Sequence, residues 1–267
     1  MQISSSRLVF VAGLHRSGTS PLARLLAGHP EVSGFSDTGE QEDEGQHLQN
    51  VYPRARERGG AGRFAFARAA HLTEGSPLAS PDNAQRLLAA WIPHWDLSRP
   101  MLVEKSPPNL IMTRFLQALF PDARFVAVIR HPVVVALSTQ KWAVRTPLTR
   151  LVQHWLHAHE LFLEDAPRLR HLHVLSYEDL VADPAATLGR VGRALGLHGD
   201  IQHDAVDRGR STRYELQWSR MRASHNPLDR LAVRHVAALE PRIRRFGYTI
   251  EDLSVAAGFP PVVPAVP

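Results

Sequence analysis

Short apolar runs alternate along the chain with stretches whose apolar residues recur at helical spacing. Arg7 to Gly13, rich in Val, Leu and Phe and flanked by Ser and Gly, predicts a buried strand. Ser17 to Ala27 carries Leu22, Leu25 and Leu26 on one helical face and closes at Gly28 and Pro30. Glu31 to Phe35 predicts a second strand. Ser36 to Gly75, rich in Gly, Glu, Asp and Arg, predicts an irregular excursion with short helical turns, and a connection that long is often functional. Ser80-Pro81-Asp82 opens a helix carrying Leu87, Leu88 and Trp91. Met101 to Val103 predicts a strand, Ser106-Pro107 the start of a helix through Leu119, and Arg124 to Ile129 the clearest buried strand. Helices follow from Val133 to about Trp142 and from Thr146-Pro147 to about Glu164. His171 to Leu175 predicts a further strand, Pro184 to Leu195 a helix ended by Gly196, and Asn226-Pro227 a final long helix to Phe246-Gly247.

Apolar strands alternating with helices predict an α/β fold with a parallel sheet covered on both faces. No internal repeat or linker divides the chain. One domain over residues 1–258 is expected, followed by a loose Pro- and Val-rich tail over 259–267.

Composition narrows the chemistry. The 267 residues are 44% hydrophobic and 21% charged, which excludes disorder along the whole chain. There is no cysteine, so disulfides, thiolate metal sites and cysteine nucleophiles are excluded. The apolar runs are too short to cross a bilayer, so no transmembrane segment is expected. The N-terminus lacks the basic start and long apolar stretch of a signal peptide, and a cytoplasmic location is expected. The net charge of +5 favours an anionic ligand. No block of like charge marks a nucleic-acid tail, so nucleic acid is not an expected partner. Of the 31 basic residues only Lys105 and Lys141 are lysine, and a lysine that persists in such a background is informative. Lys141 lies in no motif. His154, His157 and His159 share a predicted helix but lack a carboxylate or cysteine pattern of metal-site spacing, so they read as a solvated helix and no metal is expected.

The sharpest signal is the turn Gly13-Leu14-His15-Arg16-Ser17-Gly18-Thr19-Ser20, which follows a predicted strand and opens a predicted helix. Glycines let backbone amides fold around an anion, and the helix N-terminus adds positive potential. In the nucleotide loop G-x-x-x-x-G-K-[S/T] a lysine reaches the terminal phosphates. Here Thr19 occupies that position, and the basic residue is Arg16. The strand over Phe125 to Ile129 ends in Arg130 rather than in a metal-holding Asp. The anion site thus lacks both hallmarks of Mg-nucleotide chemistry, although a kinase or other nucleotide phosphotransferase is the alternative reading.

Gly13 to Ser20 is similar to the 5′-phosphosulfate loop of sulfotransferases that use 3′-phosphoadenosine 5′-phosphosulfate (PAPS). Arg130-His131-Pro132, with Ser138 further along, resembles that family's 3′-phosphate signature. Glu104-Lys105-Ser106-Pro107 and Tyr177-Glu178-Asp179-Leu180, followed by Asp183-Pro184, resemble two further family segments. The motifs occur in the family's order, and the family fold is a P-loop-like α/β sheet.

The resemblance implies PAPS as sulfuryl donor and a hydroxyl-bearing acceptor, which a sugar, natural product, lipid or tyrosine could each supply. It implies a donor cradle of His15, Arg16, Ser17, Gly18, Thr19 and Ser20, with Arg130 and Ser138 on the 3′-phosphate. Many relatives place a lysine general acid at the Arg16 position; arginine rarely gives up a proton, so Arg16 is expected to stabilise charge. Lys105 is expected to contact the transferring group. The histidine base of cytosolic relatives is absent, because Pro107 occupies its position. Carbohydrate-type relatives draw a glutamate from the segment after the second strand. Glu44 is the first candidate there, followed by Glu40 and His47. Tyr177 and Glu178 are expected to shape the fold, while Arg213 and Tyr214 fall in the rough place of a late cofactor-binding loop. The oligomeric state is left open.

Overall fold

Strands that are apolar on both sides require cover on both sides, and the chain supplies it. A computed structural model describes residues 3–207, 209–255 and 258–260. Strands β1 (Leu8–Ala12), β2 (Val32–Gly34), β3 (Met101–Lys105), β4 (Arg124–Ile129) and β5 (Leu172–Ser176) form one all-parallel sheet in the order β2-β3-β1-β4-β5. The helices are α1 (Thr19–Ala27), α2 (Gly45–Leu48), α3 (Pro81–Trp91), α4 (Thr113–Leu119), α5 (Pro132–Thr139), α6 (Leu148–Asp165), α7 (Tyr177–Ala182), α8 (Pro184–Leu195), α9 (Thr212–Ala223), α10 (Pro227–Ala237) and α11 (Glu240–Arg244).

Alternate strand residues feed two separate cores. Val9, Val11, Val126 and Val128 pack with Leu22 and Leu26 of α1 and Leu188 and Val191 of α8. Leu8, Phe10, Phe125 and Ala127 pack on the opposite face with Trp91, Phe115, Trp155 and Phe162. This is the expected α/β class with cover on both faces. β1 is flanked by β3 and β4, so the chain reverses its direction of sheet growth there. Ligands of open parallel sheets bind at such a reversal, beyond the carboxyl ends of the strands.

Differences from the expected elements have local causes. The helix expected from Ser106 is broken: Pro107–Ile111 forms a 3-10 turn and α4 begins only at Thr113. Pro107 and Pro108 lack amide donors and restrict the residues before them. The long C-terminal helix splits into α10 and α11, with Pro241 in the first turn of α11. β3 runs two residues beyond Val103, because Glu104 and Lys105 find buried partners. Helices α7 and α9 were not expected. His154 and His159 are buried rather than solvated: the Ala65 amide donates to His154 Nε2 at 3.2 Å, and His159 stacks on Trp155 at 3.8 Å between centroids. Among the described residues no group of three His, Cys, Asp or Glu side chains forms a candidate metal site, and no helix is long and apolar enough to cross a membrane. Of the tail expected to be loose, Phe259 packs on Phe162 and Phe246, and residues 261–267 lie outside the described residues.

The excursion after β2 is ordered by buried side chains that satisfy its backbone. Gln49 Oε1 accepts from the Val51 and Tyr52 amides at 2.6 and 2.9 Å, and Gln46 Oε1 accepts from the Ala55 amide at 2.8 Å. At the other end of the chain, residues 248–249 reach back to the end of β4. The Val133 amide donates to His131 Nδ1 at 3.1 Å, which leaves the proton on Nε2, 2.9 Å from the Thr249 carbonyl oxygen. Glu178 accepts from the His131 amide and from Tyr248 Oη, each at 3.0 Å.

Asp165, fully buried at the end of α6, lies 2.9 Å from His71 Nε2 and accepts from Arg114 Nη1 at 3.3 Å. Removing one partner of a buried pair strands the others, at a cost of about 3 kcal/mol. Asp165→Ala is expected to lower unfolding stability by that amount; an unchanged denaturant midpoint would show that the cluster contributes nothing.

Candidate active site

The loop between β1 and α1 is shaped by two close approaches. At Gly13 (φ 149°) a Cβ would lie 2.5 Å from the Val128 carbonyl oxygen, and at Gly18 (φ 104°) one would lie 2.5 Å from the Tyr177 ring. Only glycine fits either position. Gly18 is the N-cap of α1, and no side chain caps that helix. The amides of its first turn are therefore available to an anion. Ser17 Oγ is buried beside them without a partner. His15 lies on the cleft wall with its Nδ1 shielded and unpartnered, and burial, with Lys105 and other cations nearby, holds its pKa down to about 3.

Arg130, at the end of β4, closes one end of the cleft. It is 4% exposed, donates from Nη1 to the Arg16 carbonyl at 3.0 Å and from Nη2 to Ser211 Oγ at 2.7 Å, and stacks 4.0 Å over Tyr177. Its Nε has no partner. Burial lowers its pKa, but a guanidinium stays charged in proteins. Arg16, in left-handed backbone (φ 71°), turns across the cleft: its Nε donates to Ser138 Oγ at 2.8 Å and its guanidinium lies 4.8 Å from the Trp142 ring. Tyr214 Oη donates to Ser138 Oγ at 2.9 Å and accepts from Arg213 at 2.6 Å. Tyr214 is thus joined to the site through Ser138, whereas Arg213 is exposed, donates to Tyr214 and does not line the cleft.

At the other end Lys105 lies behind the cleft wall, beneath Ser20, Glu42 and Glu44 that line it, and itself faces a neighbouring cavity. Its buried ammonium donates to Ser20 Oγ at 3.1 Å, to the Glu42 carbonyl at 2.8 Å and to Glu44 Oε1 at 3.2 Å. The Glu44 carboxylate also accepts from Gln46 Nε2, and His47 Nε2 lies 3.6 Å away. Burial raises the Glu44 pKa against the opposing pull of Lys105 and Gln46, while burial lowers that of His47. Glu40 is exposed and outside the cleft. Of the three expected bases, only Glu44 touches Lys105.

Between these ends lies an open cleft whose walls include Gly18, Thr19, Pro107 and Trp142. Besides Arg16 and Arg130 it is lined by Arg24, which sequence reasoning did not single out, and by Arg210, from the stretch around Arg213 and Tyr214 expected to form the late loop. Arg24 follows the loop by one helical turn, and that spacing could have marked it. Trp142 was likewise not singled out; it is half-exposed on the cleft wall. Tyr177 shapes the fold as expected, by filling the space beside Gly18, and it also lines the cleft.

Residues 9–200 match the sequence profile of a family described as the Sulfotransferase family, and the chain belongs to that family. It is accordingly an enzyme of sulfuryl transfer. A comparison with curated proteins gave no match. Among solved structures, sulfotransferase STF9 from Mycobacterium avium is 14% identical over 91% of this chain and 76% of that one, with a TM-score of 0.54, which agrees with the fold described above. The sulfotransferase domain of the Synechococcus PCC 7002 olefin synthase is 20% identical (86% and 94% covered, TM-score 0.48). Mouse sulfotransferase SULT7A1, solved in complex with PAP, is 13% identical (83% and 68% covered, TM-score 0.43).

Glu104 lies behind the cleft wall with its pKa pushed up to about 7 by burial, against the donors Ser106 and Asn109. A carboxyl whose pKa is higher in the folded state stabilises the fold fully below the ordinary carboxylate range and loses that contribution as pH rises through the folded value. Between pH 4.5 and 7 the wild type is expected to lose up to about 3 kcal/mol that Glu104→Gln does not lose, read as a flatter pH profile of the denaturation midpoint. Parallel profiles for the two proteins would refute the shift.

Proposed function

We propose that this sulfotransferase takes its sulfuryl group from PAPS and passes it to a hydroxyl acceptor. The observation that carries the reading is the Arg130 guanidinium, buried with a free Nε and hydrogen-bonded to the Arg16 carbonyl, so that two anion-binding elements share one cleft. The orphaned Ser17 Oγ and the uncapped first turn of α1 fit a sulfated 5′-phosphate, and the fork of Arg130 fits a 3′-phosphate. PAP in the mouse SULT7A1 structure is consistent with this donor class.

The donor supplies a sulfuryl group already activated on a phosphate, so the protein's tasks are positioning and charge stabilisation, by analogy with phosphoryl transfer. Glu44 accepts the acceptor's hydroxyl proton as the acceptor oxygen bonds to sulfur and the bond from sulfur to the phosphate oxygen breaks. Burial raises its proton affinity, which favours taking a proton. Lys105 holds Glu44 and offers its ammonium to the oxygens where negative charge grows. Arg16 and Arg130 stabilise the departing bisphosphate. Ser138 Oγ accepts from Arg16 and Tyr214, which leaves its hydroxyl proton to donate to the 3′-phosphate.

Calorimetry with 3′-phosphoadenosine 5′-phosphate and with ATP-Mg tests the donor. The first is expected to bind more tightly, and Arg130→Ala to weaken it by about 10–100-fold, the loss of a charge-assisted contact. Preferential binding of ATP-Mg would reject the assignment. Glu44→Gln is expected to keep that affinity and lose transfer by about 10²–10⁴-fold. Full transfer by this variant would move the base to His47 or Glu40.

A further inference from the structure

Glu104 lines no part of the cleft, yet both of its carboxylate oxygens are engaged. Its side chain projects to the opposite face of β3 from Lys105, and Phe10 is its register partner on β1. It is 1% exposed, and a carboxylate in such a place is costly unless its oxygens are used. Asn109 Nδ2 donates to Oε2 at 2.6 Å and to the Val11 carbonyl of β1 at 3.2 Å, so one oxygen is anchored to the central strand. Ser106 Oγ donates to Oε1 at 2.6 Å and accepts from the Gln46 amide at 2.9 Å, so the other oxygen reaches α2 through one hydroxyl.

The carboxylate also touches that segment directly. A Cβ on residue 45 would lie 2.4 Å from Glu104 Oε1, so Gly45 packs against the carboxylate with no room to spare. The Gly45 carbonyl accepts from Trp91 Nε1 at 3.1 Å. Residues 45 and 46 are thus held on three sides, and the Gln46 side chain in turn donates to Glu44. Irregular backbone is a poor platform for a reacting group unless neighbours lock it. Here the lock is a polar chain running from β1 through Glu104 to Glu44.

From this arrangement we infer that Glu104 is a positioning residue: acting through Ser106 and by contact with Gly45, its carboxylate holds the 44–46 segment so that Glu44 meets Lys105. The inference rests on the reading of Glu44 and Lys105 as the reacting pair. It assigns to the Glu of the Glu-Lys-Ser-Pro segment a task separate from the lysine beside it. It also gives Ser106 its place, because a hydroxyl can donate to the carboxylate while accepting the Gln46 amide.

The presence of only two lysines makes this testable without an acceptor. Isotope-labelled lysine gives two side-chain ammonium signals, from buried Lys105 and exposed Lys141. In the wild type the Lys105 ammonium exchanges slowly with water. Ser106→Ala, which removes no charge, and Glu104→Gln are each expected to speed that exchange by about 10-fold or more, the equivalent of one lost hydrogen bond. Ser106→Thr, which keeps the hydroxyl, is expected to retain slow exchange. In the same two weakened variants, hydrolysis of PAPS with water as acceptor is expected to fall about 10²-fold, the effect of a misplacement near 1 Å, while affinity for 3′-phosphoadenosine 5′-phosphate stays unchanged. Slow Lys105 exchange persisting in Ser106→Ala and Glu104→Gln would overturn the inference, and so would fast exchange in a folded Ser106→Thr. If the wild type neither binds the bisphosphate nor consumes PAPS, the functional reading fails, and the exchange measurement still decides what Glu104 holds.

Discussion

An ammonium removed from water has to be answered by oxygen atoms, and at Lys105 those atoms come from two separate stretches of chain, one at residue 20 and one at residues 42–44. Ser20 arrives from the first helix after the glycine loop, the Glu42 carbonyl from a turn in the long excursion, and the Glu44 carboxylate from the start of α2. No stretch could do this alone. The requirement that one cation at the end of β3 be satisfied therefore ties the loop, the excursion and the central sheet into a single cleft. The buried glutamines Gln46 and Gln49 serve the same end, because they let the excursion reach Lys105 without leaving its own amides bare.

The arginines are held by a different device. Carboxylate partners would cancel the positive potential that an anion site needs, and the cleft uses aromatic faces instead. Arg130 lies over Tyr177 and Arg16 over Trp142, while at its edge Arg213 lies over Tyr214. A ring quadrupole steadies a cation without neutralising it. Carbonyl and hydroxyl acceptors, such as those on Arg16 and Ser211, do the same. The arginine end of the cleft is thus preorganised for negative charge, and there that charge is left for the ligand to supply.

Much of this was legible in the residues. Strands, caps and the glycine turn follow from local rules: Ser80, Asp183 and Asn226 each accept an amide of the helix that follows, as their positions imply. Arg130 and Ser138 come to the same place as the glycine loop because β4 pairs with β1. The rest depended on contacts distant in sequence. Nothing local separates exposed Glu40 from buried Glu44, since only the fold determines which one meets Lys105. His154 and His159 look solvated by composition, but their face of α6 packs inward. Helix α9 was hidden by its polar composition, although its buried anchors Tyr214 and Trp218 stand one helical turn apart.

The brace behind Arg130 has a consequence for the order of assembly. His131 is fixed by the carbonyl of Thr249, 118 positions later, and Glu178 by the hydroxyl of Tyr248. Domains emerge from the ribosome starting at the N-terminus. The glycine turn, the lysine and the excursion can all be in place while the last helices are still being made. The corner that holds Arg130 gains its backing only when residues near 250 dock, so the two ends of the cleft need not form together.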